Sequence, residues 1–254
     1  MKTVVVCYKW VVDESSIRVD AAGRLEIDAG RCKINDYDKN GIETGVFLKK
    51  KTGARLVGIT CGVSCSASVK DALSRGLDEV IYLEDPSLNT ADAGSTAKNL
   101  ASLIRTIPDA DVIICSEGSS DEYAQQTGPR LAILLGMTSV SGVNAIEVRN
   151  DTLVLTRKLD DCMETVEAEG RIVISVSPDI NEAPIPGVKA ILGAKRKPVT
   201  CAVGPEYTTP QLETVSLLAP VNKRKQLNLT GDGISAGEAA LKLIECLKAE
   251  GVLA

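Results

Sequence analysis

The first two-thirds of the chain alternates short apolar runs with longer segments in which apolar residues recur every three or four positions. Thr3–Tyr8 is apolar almost throughout, as is typical of a strand buried on both faces of a parallel sheet. Similar runs predict strands at Arg55–Thr60, Glu79–Leu83 and Asp111–Cys115. Helices are predicted from the N-cap side chains of Asn35–Asp38 to about Lys51, over Ser66–Arg75 with Gly76 as the C-cap, over Asp92–Ile107, and from about Tyr123 to Leu135. This rhythm predicts an α/β fold with a doubly wound, mainly parallel sheet.

The rhythm changes after Met137. Three strand-like segments joined by turns, Val143–Val148, Asp151–Lys158 and Thr165–Ile174, predict a β-meander at one edge of the sheet. Residues 177–200 follow as a loop punctuated by proline and glycine, and loops of this length in compact domains are typically functional or disordered.

The C-terminal segment shows a third pattern. Residues from about Pro205 to Thr230 have little periodicity and are predicted to form an extended arm, and Gly233–Ala249 is predicted to be an amphipathic helix. An arm with a terminal helix favours wrapping around a partner. We therefore divide the chain into an α/β domain, residues 1–200, and a C-terminal arm and helix, residues 201–254.

The amino-acid composition excludes several classes of catalytic and binding site. The chain has no histidine, which removes Ser-His-Asp and Cys-His catalysis and histidine general acids and bases. A net charge of -5 and 3% aromatic residues argue against a nucleic-acid groove. The eight cysteines contain no C-x-x-C pair, so neither a zinc ribbon nor an iron–sulfur site is predicted. No apolar run suits a signal peptide or a membrane span, and the expected location is the cytoplasm with reduced thiols.

Four loops are expected to meet where the predicted parallel strands end. They contain Cys7–Lys9, Asn35–Asp38, Thr60–Ser64 and Ser116–Gly128, which are rich in small and polar residues. Small residues let the backbone approach a ligand, and helix N-termini offer N–H groups to a phosphate. Each loop taken singly is equally typical of an ordinary strand-to-helix turn. Neither a GxGxxG nor a GxxxxGK[ST] motif is present, so the residues alone predict a nucleotide pocket without the usual fingerprints.

Several segments, in this order and spacing, resemble the electron-transfer flavoprotein beta subunit over nearly all of residues 1–200. They are Cys7-Tyr8-Lys9-Trp10-Val11-Val12-Asp13, Asn35-Asp36-Tyr37-Asp38 with Glu43, Cys61-Gly62, Ala72-Leu73-Ser74-Arg75-Gly76-Leu77-Asp78, Ser119-Ser120-Asp121, Gln125-Gln126-Thr127-Gly128, Asn181-Glu182 and Lys195-Arg196-Lys197. The sequences of Gly118–Asp121 and Ala190–Ala194 are most similar to the FixA-type branch of the family, which is linked to anaerobic carnitine metabolism.

The resemblance implies an adenine-nucleotide alpha-hydrolase-like fold and a heterodimer with an alpha subunit that carries the redox FAD. It implies AMP in this subunit or, in flavin-bifurcating relatives, a second FAD beside which NADH docks. The implied nucleotide-contacting residues are Cys7, Asn35, Asp36, Tyr37, Asp38, Cys61, Ser116, Gly118, Ser119, Ser120, Asp121, Glu122, Tyr123, Ala124, Gln125, Gln126 and Thr127.

The resemblance also implies that residues 184–193 recognise acyl-CoA dehydrogenase-type redox partners. The implied recognition residues are Pro184, Ile185, Val188, Ile191 and Leu192. Val188 stands where the family typically has leucine, and Gly193 where it has lysine. Asp36 and Tyr37 replace a Pro-Phe-type pair.

Three functions follow from these observations. The first is an electron carrier with structural AMP and no bond-making active site, because the redox chemistry belongs to the flavin. The second is a bifurcating flavoenzyme that holds a second FAD and oxidises NADH. The third is a stand-alone adenine-nucleotide-binding regulator of the universal-stress type, which predicts a homodimer that does not need the residues beyond about 200.

Overall fold

A computed structural model describes residues 1–27, 30–150, 152–203, 210–219, 226–231 and 233–253. The strands are β1 (Thr3–Cys7), β2 (Trp10–Val12), β3 (Ile17–Val19), β4 (Leu25–Ile27), β5 (Cys32–Ile34), β6 (Arg55–Gly62), β7 (Glu79–Glu84), β8 (Ala110–Ser116), β9 (Thr138–Arg149), β10 (Thr152–Lys158), β11 (Met163–Ala168), β12 (Ile172–Val176) and β13 (Val199–Cys201). The α-helices are α1 (Asp36–Thr52), α2 (Val69–Ser74), α3 (Ala93–Arg105), α4 (Thr127–Leu135), α5 (Val188–Ala194) and α6 (Ala236–Ala249).

Nine strands form one mixed sheet in the order β11-β10-β9-β12-β8-β1-β6-β7-β13. β1 is buried along its whole length because it pairs in parallel with β6 on one side and β8 on the other. β7, β12 and β13 extend this parallel region. The predicted doubly wound α/β sheet is confirmed.

The side chains of β1 alternate between two cores. Val4 and Val6 pack on the face that carries α1 and α2, where Ile42 and Leu73 are buried. Val5 and Cys7 point to the opposite face, which carries α3 and α4. This alternation requires a strand that is apolar at successive positions, which is the pattern that the sequence shows.

The meander is confirmed in part. β9, β10 and β11 form an antiparallel edge, but the segment predicted as one strand over Thr165–Ile174 is two strands. Gly170, with φ +77°, lies in the turn between them. β12 leaves the meander and inserts between β9 and β8, parallel to both. Its five residues are all buried, in agreement with its apolar character at every position except Ser175.

Two other predicted elements need correction. The helix predicted over Ser66–Arg75 is a 3₁₀ turn, Cys65–Ser68, followed by α2. The loop predicted over residues 177–200 contains a 3₁₀ turn, the helix α5 and the start of β13. α5 packs against α2, so this segment is structured by tertiary contacts that its proline-rich sequence does not indicate.

The described parts of the predicted arm, residues 210–219 and 226–231, lack helix, and Leu218 forms a single antiparallel bridge with Arg24. Pro205 and the other residues of 204–209 and 220–225 lie outside the described residues. α6 begins at Ser235, whose hydroxyl and the Glu238 carboxylate form a capping box. Among the helices that are described, none combines the length and apolar character needed to cross a bilayer.

Candidate functional site

A cavity of about 350 Å³ opens at the carboxyl ends of β1, β6 and β8. The volume lies at the lower end of the range of about 300–1,000 Å³ for small-molecule pockets. All four loops predicted to meet at this edge contribute to its lining. Their convergence follows from the parallel pairing of β1 with both neighbours, which brings three strand ends to one place.

Most of the predicted site residues line the cavity. These are Cys7, Asn35, Asp38, Cys61, Ser116, Gly118, Ser119, Asp121, Glu122, Ala124, Gln125, Gln126 and Thr127. The lining also contains residues outside this set, several of them in the four predicted loops. They are Tyr8, Lys9, Trp10, Val11, Val12, Cys32, Gly62, Val63, Ser64, Leu88, Asn89, Ala91, Ala93, Thr96, Leu100, Cys115 and Glu117.

The floor of the cavity holds a buried carboxyl group. Asp38 Oδ2 accepts a hydrogen bond of 2.7 Å from the backbone N–H of Lys9. Burial raises the pKa of Asp38 to about 6, because the loss of water outweighs this hydrogen bond and the nearby Lys9 charge. The buried hydroxyl of Ser116 approaches Asp38 without a hydrogen bond of standard geometry to any described residue. Asp38 and Ser116 thus form a polar floor with unused hydrogen-bonding capacity.

Asn35 fastens the loop after β8 to the rest of the site. Its side chain is fully buried, Nδ2 donates to Gly118 O at 3.0 Å, and Oδ1 accepts from Ser120 N at 3.1 Å. Its backbone N–H donates to Lys9 O at 3.0 Å. The expected side-chain cap of α1 is therefore wrong, because both polar ends of the amide are used by the loop. Asn35 sets the position of the cavity wall.

The loop of residues 117–126 forms that wall and replaces the predicted start of α4. Tyr123 and Gln125 have φ +46° and +56°, values that a helix excludes, so α4 begins at Thr127. Lys9 Nζ holds the loop from the other side, at 2.8 Å from Asp121 Oδ2 and 3.5 Å from Glu122 Oε2. Burial opposes ionisation of Asp121, but the Lys9 charge prevails and lowers its pKa.

Four predicted contact residues, Asp36, Tyr37, Ser120 and Tyr123, do not line the cavity. Asp36 forms ion pairs with Lys33 and Lys39 on the surface of α1. The ring centroids of Tyr37 and Tyr123 are 5.6 Å apart. Tyr123 supports the wall from outside, because its hydroxyl donates to the Glu117 carboxylate and its ring lies against Gly118.

The first turn of α4 approaches the sheet closely at Gly128. A Cβ at this position would lie 2.2 Å from Ser175 Oγ, so a larger residue would require Ser175 to change rotamer or the helix to move away from β12. Gln126 accepts two hydrogen bonds from Arg130 with its side-chain oxygen. α4 begins at the cavity, because Gln126 and Thr127 are part of its lining, and a helix N-terminus favours an anion.

The segment implied in partner recognition lies away from the cavity, on α5 and the residues before it. Ile185 is 94% exposed and Val188 74% exposed, and Pro184, Ile191 and Leu192 are exposed as well. Behind them, Lys197 Nζ donates to Leu73 O at 2.9 Å and to Leu77 O at 2.5 Å, near the end of α2. The result is an apolar surface on a firmly anchored support.

Lys9 is the residue whose importance was underestimated from sequence, although it directly follows the first predicted strand. The segment around Leu88–Ala93 was also missed: it follows β7 as a 3₁₀ turn, and the end of that strand was not among the four loops predicted to meet at the site. Within the described ranges, His, Cys, Asp and Glu side chains form no group of three or more suited to a metal ion.

One comparison with known proteins bears on this arrangement. A family model described as electron transfer flavoprotein domain matches residues 26–203, which is 178 of the 254 residues. The match includes β5 to β13 and three of the four loops that meet at the cavity.

Proposed function

The chain belongs to the electron transfer flavoprotein family, and from this premise we propose that it is a beta-type subunit that holds AMP in the cavity. Its partner would be an alpha subunit that carries the redox FAD. The FAD, when bound in the heterodimer, supplies the electron-transfer chemistry. The residues of this chain hold a nucleotide and fix the loops around it.

The cavity is the observation that carries the proposal. Its walls combine apolar side chains such as Leu88 and Leu100, suited to an adenine face, with the polar floor of Asp38 and Ser116, suited to hydroxyl or amino groups. The start of α4 offers backbone N–H groups to a phosphate. Lys9 is the cation of the lining, and it is already engaged by Asp121 and Glu122. A single phosphate therefore suits the site better than a polyphosphate.

We retain one alternative, a second FAD in place of AMP in a bifurcating flavoenzyme. Trp10 in the cavity lining favours it, because an indole side chain suits packing against a flavin ring. The volume of about 350 Å³ favours AMP, since a dinucleotide needs additional space beyond this cavity.

We further propose that residues 201–254 wrap the alpha subunit and that α5 with the preceding loop contacts an acyl-CoA dehydrogenase-type partner. Exposed apolar side chains on both elements support these roles. The proposed assignment to the FixA-type branch rests only on the sequences of residues 118–121 and 190–194.

Mass spectrometry of the small molecules released from the denatured heterodimer tests the proposal. We expect one AMP and one FAD per heterodimer, with the flavin absorbance confirming a single FAD. Two FAD molecules without AMP would establish the bifurcating alternative. A stable homodimer of this chain that retains a nucleotide and survives truncation at residue 200 would contradict the proposal in favour of the regulator.

A matched pair of variants tests the location. Gly128→Ala should reduce AMP retention, because the added Cβ meets Ser175 Oγ and forces Ser175 or the first turn of α4 beside the cavity to shift. Gly136→Ala, at the C-cap of the same helix where the structure has open space around the Cβ, should leave the AMP content unchanged and cost only backbone strain. Equal AMP content in both variants would place the nucleotide elsewhere.

A further inference from the structure

Two buried thiols lie opposite each other on neighbouring strands beneath the cavity. The parallel register of β1 and β8 pairs Val6 with Ile114. Both strands continue for at least one residue, since Cys7 still pairs with β6 and Cys115 with β12. The next opposed positions are therefore Cys7 and Cys115. Both side chains belong to the core on the α3 and α4 face, so they point to the same side of the sheet.

The separation of the strands suits a covalent link. Neighbouring strands lie about 4.7–4.9 Å apart, and the Cα atoms of disulfide-bonded cysteines are usually about 4.4–6.8 Å apart. A hydrogen bond with the Cys115 thiol, followed by burial, holds the pKa of Cys7 well above its usual range. The register itself places the two side chains next to each other on one face of the sheet.

The register also selects the partner of Cys7. Cys61 lies on the other side of β1, two residues beyond Ile59, the β6 residue that pairs with Cys7. Two residues along a strand combined with one strand spacing give a Cα separation of about 8 Å, which exceeds the limit of about 7 Å for a disulfide without backbone movement. Cys115, directly opposite, meets the geometric requirement.

We propose that Cys7 and Cys115 form a redox-convertible dithiol that a two-electron oxidant of the peroxide class closes to a disulfide. One thiol attacks a peroxide oxygen and becomes a sulfenic acid, with loss of one water. The second thiol displaces the sulfenic oxygen as another water and forms the S–S bond. Two thiols and one hydrogen peroxide thus give one disulfide and two waters.

The position of the pair couples this reaction to the cavity. Cys7 and Cys115 both line the cavity but are only 6% and 3% exposed. A nucleotide seated above them would cover this remaining access and slow oxidation. The disulfide would in turn replace two thiols of the cavity lining and so alter nucleotide binding. This coupling rests on the proposed function, whereas formation of the disulfide does not.

The test uses the full-length chain, reduced and dialysed free of small molecules. It is incubated with hydrogen peroxide for about ten half-times of the oxidation of Cys162, an exposed internal standard. Remaining thiols are then alkylated under denaturing conditions. We expect a Cys7–Cys115 cross-linked peptide, two hydrogens lighter than the sum of the two reduced peptides, that dithiothreitol releases. Alkylation of both residues after this treatment, or a disulfide with a different cysteine, would overturn the proposal.

Variants provide the matched control. Cys115→Ala should abolish the cross-link, and Cys246→Ala, on α6, should leave it unchanged. Because the primary result comes from the wild-type chain, misfolding of a variant does not affect it.

AMP is the probe for the coupling. Equilibrium dialysis first measures its binding to the reduced chain, and saturating AMP should then slow disulfide formation about tenfold. Absence of AMP binding would contradict the proposed function and leave the dithiol result standing. Binding without slower oxidation would show that the nucleotide does not cover the thiols.

Discussion

Helices α3 and α6 have similar lengths and both carry an apolar stripe, yet only α3 buries it. α3 has 13 residues and places Leu100, Leu103 and Ile104 in the core. α6 has 14 residues, and none of them is buried in the described structure. Leu241, Leu243 and Ile244 are 64%, 46% and 42% exposed. Amphipathic character thus predicts a helix and a face to be covered, but it does not say whether the covering surface belongs to the same chain.

The largest expected effect is a difference in stability between matched substitutions in the two helices. Leu103→Ala removes a side chain that is 2% exposed and should lower the free energy of unfolding by about 2–5 kcal/mol, because it leaves a cavity. The matched change Leu243→Ala in α6 should cost no more than about 0.5 kcal/mol in the isolated chain. Urea unfolding of both variants measures the difference. A large loss for Leu243→Ala would mean that α6 packs on its own chain.

A second prediction concerns the core that α1 shares with the cavity. The pKa of Asp38 is raised to about 6 in the folded chain, above its ordinary value near 4. Its stabilising contribution is therefore fully present below about pH 4 and is lost as the pH rises through 6. Asp38→Asn should make the ligand-free chain more stable than wild type at pH 7, by up to about 3 kcal/mol, and the difference should vanish near pH 4. Thermal unfolding across this range checks the sign.

The physical reason for that sign also provides a check. An asparagine keeps an acceptor for the Lys9 N–H and offers a donor to Ser116 Oγ, the buried hydroxyl without a standard hydrogen bond to a described residue. A variant that is less stable at every pH would show that the carboxylate is satisfied in a way that the amide is not.

The start of α6 provides a smaller effect. Ser235→Ala removes one half of the capping box with Glu238 and should destabilise this helix by about 1 kcal/mol. Because α6 contributes no buried residue, we expect faster hydrogen exchange over 236–249 with an unchanged global unfolding midpoint. Ser216→Ala, in the exposed arm, is the matched control and should change neither measurement. A shift of the global midpoint would contradict the independence of α6.

The smallest effect concerns the point at which the arm meets α3. Asp92 Oδ1 caps α3 through Ser95 N at 2.7 Å, while Oδ2 accepts from Gln211 N at 2.8 Å and Leu212 N at 3.3 Å. Asp92→Asn keeps an acceptor for the cap but turns an N–H₂ toward the two arm amides. Hydrogen exchange of residues 210–219 should rise severalfold while that of α3 stays unchanged. Equal protection of the arm in both proteins would show that other contacts hold it.

Low pH should weaken the same contact between Asp92 and the arm, because the Asp92 carboxylate becomes protonated. The backbone N–H groups of Ser95 and Gln211 lower the pKa of Asp92 to about 2. A depressed carboxyl pKa stabilises the folded state above the ordinary value near 4, and the contribution is lost as the pH falls toward 2. The Asp92→Asn variant should lack this pH dependence.

The parallel core could be predicted from sequence because a strand that is buried on both faces is a continuous run of apolar residues. Thr3–Cys7 and the strands β6 to β8 were found at nearly their observed bounds. The turn at Gly170 was not predicted, because only three residues separate the two strands and the apolar pattern resumes directly after them. The place of a strand in a sheet depends on the strands that pair with it, so it cannot be predicted from the local sequence pattern.

The candidate site was predicted in outline and missed in detail. The four converging loops follow from strand direction, which the sequence shows. The role of Tyr123 depends on a left-handed backbone angle, and that of Asn35 on a contact over more than 80 positions, with Gly118. Lys9 pairs with carboxylates that lie more than 100 positions away. Such pairs become visible only when the loop is folded.

The insertion of β12 between β9 and β8 has a consequence for synthesis of the chain. When the first 168 residues have left the ribosome, β8 and β9 are both present, but the strand that joins them, Ile172–Val176, is not. Each strand then has an open hydrogen-bonding edge, which is a hazard for misassociation. The sheet becomes continuous only after residue 176 emerges, so a pause in translation just before this point should trap a nascent chain in two unjoined halves.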